Sequence, residues 1–159
     1  MKKFNFPVIC SSLLMTGFIP YAPGTAGSII AMIVYFILPS EWFQTSPAIF
    51  ILIPVYIILL LITIPFLSRA EKILGKDDRR IVLDEFMGFF LAVLFLPRSI
   101  VIIFLAFILF RVYDILKPVP VNLLQKLPGG WGILADDLMA GIYSNASCRM
   151  MLLLVPVCK

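Results

Sequence analysis

At 159 residues the chain has the length of one domain, and 62% of it is hydrophobic, against roughly 45–50% apolar residues in soluble domains. Charged residues make up 14% and mean hydropathy is +1.07; so few charges cannot cover a solvated surface, which places the chain in a membrane and excludes an ordinary soluble domain. The net charge of +4 does not point to nucleic acid, because the basic residues lie between apolar runs, at Arg69, Lys72, Lys76, Arg79 and Arg80 and at Arg111, Lys117 and Lys126, as in cytoplasmic loops facing anionic lipid.

Lys2-Lys3 and the apolar stretch after them imitate a signal peptide, but Pro7 and Pro20 bracket that stretch and no clean small-x-small cleavage site follows, so retention is expected. Residues 8–19 are too few to cross about 30 Å of hydrocarbon at 1.5 Å per residue, and are expected to lie in the interface or re-enter. Pro23-Gly24-Thr25-Ala26-Gly27-Ser28 is a compact turn opening an apolar run from Ile29 to Leu38, which Pro39-Ser40-Glu41 closes. Ala48 to Leu67 carries no charge and is the clear spanning helix, with Pro54 and Pro65 as kinks. Ser68-x-x-Glu71 fits a capping box, and Arg69 to Gly75 reads as a short surface helix or as the polar end of the preceding one.

Asp84-Glu85 leads into Phe86–Leu96, and Pro97-Arg98 turns the chain into Ser99–Phe110. These short arms predict a helical hairpin packed inside the bundle. Arg111 to Lys126 is a polar return, and Pro128 to Gly132 is a flexible loop with an interfacial Trp131. From Ile133 the chain is apolar to Val157, interrupted by Asn145 and Arg149, which leaves the last span undecided. The positive-inside bias puts Lys2-Lys3, the 69–80 cluster and the 111–126 loop in the cytoplasm, and the 39–47 loop and the 97–98 turn outside. Every polar motif then falls on the cytoplasmic side, as one site at a membrane surface requires.

The chain has no histidine, and Cys10, Cys148 and Cys158 show no CxxC spacing, so they read as apolar fillers. Chemistry is left to carboxylates, Arg, Lys, hydroxyls and a metal. Asp84-Glu85, Asp114 and Asp136-Asp137 stand where apolar runs end, and a carboxylate there costs roughly 2.5–3.5 kcal/mol on insertion scales. Helix-dipole capping, about 0.3–1 kcal/mol each, explains one such pair. Two pairs plus Asp114 on one side repel one another, and a divalent cation resolves the repulsion. With oxygen ligands only, Mg²⁺ is expected first and Mn²⁺ second. Arg111, Asp114 and Lys117, spaced by three, share a helix face. They read as an intrahelical ion pair or as a phosphate clamp, with Asp114 holding the metal or Arg111. Thr25 and Ser28 sit at a helix mouth, as an N-cap or as phosphate contacts. Asn145-Ala-Ser147 matches the glycosylation pattern inside an apolar stretch and reads as chance. Without histidine a phosphohistidine lipid phosphatase is excluded. No Cys-x5-Arg, Asp-x-Asp-x-Thr or Asp-Gly-x-x-Ala-Arg pattern occurs either.

Four ordered segments carry a family resemblance: Pro23 to Ser28, Asp84-Glu85-Phe86-Met87-Gly88, Arg111 to Pro120, and Gly130 to Gly141 with Asp136-Asp137 at its centre. In order and spacing, over roughly residues 10 to 145, the chain resembles phosphatidylglycerophosphatase A. Pro128 stands where some relatives have histidine, so that position is not expected to be catalytic. The resemblance implies a Mg²⁺-dependent integral membrane enzyme of the bacterial cytoplasmic membrane. Such an enzyme hydrolyses phosphatidylglycerophosphate to phosphatidylglycerol and phosphate on the cytoplasmic face.

The expectation is therefore an all-α, small polytopic membrane helical bundle with short, partly re-entrant helices, forming one membrane-embedded phosphatase domain over residues 1–159. Asp84, Glu85, Asp136 and Asp137 are expected to ligate the metal and, with Asp114, to be catalytic. Thr25, Ser28, Arg111 and Lys117 are expected to bind a phospholipid substrate, with membrane lipids around the chain and no nucleic-acid partner. Direct water attack and an aspartyl-phosphate intermediate both fit these residues. The rival readings are an ion or proton transporter using intramembrane carboxylates, against which the acids at helix ends argue, and a non-catalytic scaffold.

Overall fold

Long apolar runs with few breakers favour helix throughout, and the computed structural model, which describes residues 5–44, 46–76 and 78–154, is all-α with no strand among them. Its helices are α1 (Phe6–Ser11), α2 (Pro23–Ile37), α3 (Glu41–Gln44), α4 (Ser46–Leu74), α5 (Leu83–Val93), α6 (Ile100–Leu116), α7 (Val121–Leu124) and α8 (Gly130–Leu154), with a 3-10 turn at Thr16–Phe18. Lys2, Lys3 and Cys158 lie outside the described residues.

The charge-free run builds α4. Its stretch Phe50–Leu74, whose most apolar 18 residues have mean hydropathy 2.8, is the one helix among the described residues long and apolar enough to cross a membrane. Only 17% of those 18 residues are buried. Phe50, Ile51, Ile58 and Leu61 on α4, Ile100 and Val101 on α6, and Leu153 and Leu154 on α8 are all exposed, an apolar surface that calls for lipid or protein contact. Pro54 and Pro65 lie within α4. The helix also continues through Ser68 and Glu71 to Leu74, so these residues are its polar end. No capping box forms there: the Ser68 hydroxyl instead accepts the Gly130 N–H at 2.9 Å, satisfying a first-turn donor of α8.

The short helix α5 sits at the centre. One apolar core gathers Tyr35 of α2, Phe89 and Val93 of α5, Ile103 and Phe110 of α6, and Ala140 of α8. A second joins Val8, Leu67, Met87, Ile133 and Leu134 on the α4 side. The expected hairpin of α5 and α6 is present and packed inside the bundle. α5 and α8 meet backbone to backbone. A Cβ at Gly88 would lie 2.7 Å from the Asp137 carbonyl oxygen, and one at Gly141 would overlap the Gly88 carbonyl oxygen. Such close approach through small residues is the usual way apolar helices associate where lipid competes equally for apolar surface.

Several local expectations are corrected. Pro23 to Ser28 is not a turn ahead of a helix but the opening of α2 itself, with Pro23 in its first turn, where the missing N–H costs nothing. Pro128 to Gly132 is not a flexible loop throughout. Gly130 begins α8, and a Cβ there would overlap the Ile64 carbonyl oxygen of α4, so this turn is clamped, while Trp131 is exposed. Residues 8–19 form α1, a left-handed run at Leu13, Leu14 and Met15, and the 3-10 turn. This segment braces the approach to α5. The Ser11 carbonyl accepts the Val82 N–H at 2.9 Å, and Gly17 lies against the Arg80 carbonyl, where a Cβ would not fit. Asn145 and Arg149, the polar breaks in the last apolar run, both lie within α8, which is helical to Leu154.

Replacing Gly141 by Ala puts a methyl group against a backbone oxygen that cannot swing away. Thermal unfolding in detergent should show a loss of about 1–3 kcal/mol; unchanged stability would mean that α5 and α8 have slack at this crossing.

Candidate active site

Asp84 and Glu85 occupy the first turn of α5, where the positive end of the helix dipole favours carboxylates. Asp137 arrives from α8, brought across by the Gly88–Gly141 contact. Carboxylate oxygens of Asp84, Glu85 and Asp137 all lie within 4.8 Å of one another. Asp84 is 7% exposed and Asp137 3%. At such a spacing two ionised carboxylates repel by about 3.5 kcal/mol at an effective dielectric of about 20. Asp84 Oδ1 and Glu85 Oε2 are buried without a hydrogen-bond partner. Converging carboxylate oxygens, two of them orphaned, with no nitrogen or sulfur donor in the group, fit a hard divalent cation.

Two more segments close on the same point. Arg111 and Asp114 lie near the end of α6, and Arg111 Nη1 stands 2.9 Å from Asp114 Oδ2, the i,i+3 pair their spacing allows. That approach leaves Nη1 without an aligned acceptor, and Nε is also buried with none. Gly24, in the first turn of α2, lies so close to Glu85 that a Cβ would overlap Oε1, and the same point is 3.4 Å from Arg111 Nη1. One turn on, a Cβ at Gly27 would come 2.8 Å from the Val82 carbonyl oxygen. The two glycines therefore seat α2 directly on the N-terminal end of α5. Asp114 is near enough to Glu85 and Asp137, and Asp136 to Asp84, for their charges to interact.

The remaining expected residues sit at the edge of this cluster. Lys117 ends α6 in the left-handed region, with φ 44° and ψ 58°, so it leaves the face shared by Arg111 and Asp114. Its Nζ donates to Asp136 Oδ2 at 2.6 Å. Neighbouring residues on a helix point about 100° apart, and the Asp136-Asp137 pair is divided accordingly: Asp137 towards the α5 acids, Asp136 towards Lys117. Neither acid is in the first turn of α8, so dipole capping does not account for them. Ser28 is fully buried and donates its hydroxyl to the Gly24 carbonyl at 3.1 Å, while Thr25 is half-buried in the first turn of α2.

The loop that delivers α5 is ordered by Arg80, whose Nη2 reaches Asp78 Oδ2 at 2.6 Å. The Arg80 hydrogen bonds hold the Asp78 carboxyl below the usual carboxylate range. Its contribution to stability is present above that range and is lost as pH falls through the lowered value. Reading motifs alone, one misses Gly24, Gly88 and Gly141 as assembly residues. Their signal is small residues on helices otherwise made of large apolar ones.

The profile of the family described as phosphatidylglycerophosphatase A matches residues 9–152. The chain belongs to the phosphatidylglycerophosphatase A family. It is an enzyme, a phosphatase. A Haemophilus influenzae phosphatidylglycerophosphatase A is 37% identical over 136 residues, 81% of this chain and 78% of that protein. The Escherichia coli phosphatidylglycerophosphatase A is 30% identical over 135 residues, 81% of this chain and 73% of that protein. A Bacteroides thetaiotaomicron protein provisionally named a phosphatidylinositol-3-phosphatase is 35% identical over 153 residues, 91% of this chain and 92% of that protein. No solved structure matches the chain.

Gly24→Ala drives a methyl group into the Glu85 carboxylate. Phosphatase turnover should fall by about 100-fold, the effect of displacing a catalytic group by an ångström, with thermal unfolding little changed. Full activity would separate α2 from the site.

Proposed function

We propose that this protein is a Mg²⁺-dependent lipid phosphatase hydrolysing phosphatidylglycerophosphate to phosphatidylglycerol and inorganic phosphate at the cytoplasmic face of a bacterial membrane. In this reading residues 1–159 act as one membrane-embedded domain crossing the bilayer several times. The observation that carries it is the meeting of two buried carboxylates and a half-buried one with an arginine whose buried Nε and Nη1 have no aligned hydrogen-bond acceptor. Cation site and anion site lie side by side, as a phosphomonoester bound through a metal requires.

Asp84, Glu85 and Asp137 hold the cation through their carboxylate oxygens. Bound there, Mg²⁺ supplies Lewis-acid polarisation of the phosphoryl group and lowers the pKa of water. Arg111 donates to the phosphoryl oxygens and neutralises charge that grows on them as the P–O bond breaks. The first N–H groups of α2, at Gly24 and Thr25, have no intrahelical acceptor and add donors on the same side. Asp114 fixes the guanidinium. Lys117 holds Asp136 and places a positive charge at the rim, while Ser28 holds the opening of α2. Water oxygen adds to phosphorus and the glycerol oxygen leaves, taking up a proton. The acyl chains stay in the bilayer, so only the head group enters.

The orientation rests on exposed Arg69, Lys72, Lys76 and Arg79 at the α4 end nearest the site. The Bacteroides relative supplies the competing substrate, phosphatidylinositol 3-phosphate, another phosphomonoester on a lipid head group. The test is phosphate release from both lipids in detergent, with Mg²⁺ and with chelator. Release should require Mg²⁺ and favour phosphatidylglycerophosphate. Asp84→Asn and Asp137→Asn should each lose more than about 100-fold, beyond the usual effect of changing an outer-shell group. Arg111→Gln should lose about 10²–10³-fold, as for an oxyanion donor. Folded protein that releases phosphate from neither lipid would defeat the proposal, and equal release in chelator would remove the metal from it.

A further inference from the structure

A second polar cluster lies at the opposite end of α5 from the acids, and the phosphatase chemistry makes no use of it. Asn145 Nδ2 donates to the Ala92 and Leu94 carbonyls, each at 2.9 Å, and Asn145 Oδ1 accepts from Arg149 Nε at 2.7 Å. Arg149 Nη2 donates to the Phe95 carbonyl at 3.1 Å and the Leu94 carbonyl at 3.3 Å. These bonds satisfy the carbonyls left open where α5 ends. They engage Nε and Nη2, while Nη1 makes none among the described residues. Arg149 is exposed, and no carboxylate pairs with it among the described residues.

This unpaired cation stands at the rim of a cavity of 280 Å³ between the end of α5 and α8. Leu91, Phe95, Ile142 and Ala146 form its apolar wall, and Asn145 and Arg149 its polar edge. Arg149 lies nineteen residues (149 minus 130) beyond Gly130 along α8. That rise is about 28 Å, close to the roughly 30 Å of bilayer hydrocarbon. With the first turn of α8 at one membrane surface, Arg149 reaches the head groups of the other.

We propose that this cavity is a binding site for an anionic phospholipid of the leaflet opposite the acid cluster, with an acyl chain along the Leu91–Ile142 wall and the phosphate on Arg149 Nη1. An apolar wall alone would take any chain. The uncompensated guanidinium selects a head group of net negative charge.

Native mass spectrometry of the purified full chain in detergent and chelator tests this, with dioleoyl phosphatidylglycerol or dioleoyl phosphatidylcholine added as probe. The wild type should retain one phosphatidylglycerol in preference to phosphatidylcholine. Arg149→Gln should reduce the bound fraction about fivefold, the effect of one basic residue on anionic lipid, and Arg149→Lys should largely keep it. Because Arg149→Gln also strips bonds from the end of α5, Ala146→Phe serves as the second variant. It fills the cavity, leaves the carbonyl bonds alone, and should lower retention as much. Inorganic phosphate at equal concentration should not displace the lipid. Equal retention of the two lipids, full retention by folded Ala146→Phe, or displacement by phosphate would each overturn the assignment. Phosphatase activity is not read, so the outcome stands apart from that of the catalytic proposal.

Discussion

The site depends on one contact between two main chains. Gly88 lies under the Asp137 carbonyl and Gly141 under that of Gly88, so α5 and α8 approach more closely than any side chain would permit. Between apolar helices in lipid no hydrophobic gain favours one partner over another, and fit at close range decides. That fit carries Asp137 to within ligand distance of Asp84 and Glu85. α2 repeats the device at Gly24 and Gly27, which seat its opening against Glu85 and Val82. Small residues thus perform the assembly, and large apolar ones such as Phe89, Phe110 and Tyr35 fill the volume beside them.

The charges sort into two kinds. Lys117 with Asp136, and Arg80 with Asp78, are settled pairs made by direct hydrogen bonds. Asp84 Oδ1, Glu85 Oε2 and the Nε of Arg111 are not settled: each is buried without a hydrogen-bond partner, and Arg111 Nη1 has Asp114 beside it but out of line for a hydrogen bond. A buried polar atom left open costs of the order of 1–3 kcal/mol, which a fold accepts where a ligand is to complete the set. Outside the cluster, among the described residues, the hydroxyls of Ser11 and Tyr35 are also buried without a partner, but each is a single neutral group. At the far end of α5, Asn145 and Arg149 close the carbonyls left open where the helix ends.

Much of this was legible in the residues, and the exceptions have physical reasons. A charge-free run long enough to span can only be α4. The acids were conspicuous because each is expensive in so apolar a chain, and three of the five converge as a shared cation demands. The divisions within motifs were not legible. Asp136 and Asp137 are neighbours in sequence, yet which faces α5 depends on the rotation of α8, set by glycine contacts remote in the chain. Lys117 follows Arg111 and Asp114 at helical spacing, but its own residue turns left-handed and ends the helix. Ser68 and Glu71 match a helix start, and tertiary packing overrides it: Ser68 caps a different helix sixty-two positions away. The glycines at 129 and 130 suggest looseness when read alone, but at Gly130 the absence of a side chain is what lets α4 press in.

The contributors to the acid cluster are strung from Gly24 to Asp137, on α2, α5, α6 and α8. Until the last of these is synthesised, Asp84 and Glu85 lack the third carboxylate that joins them in the finished fold. No N-terminal fragment and no nicked half of the chain holds the complete constellation.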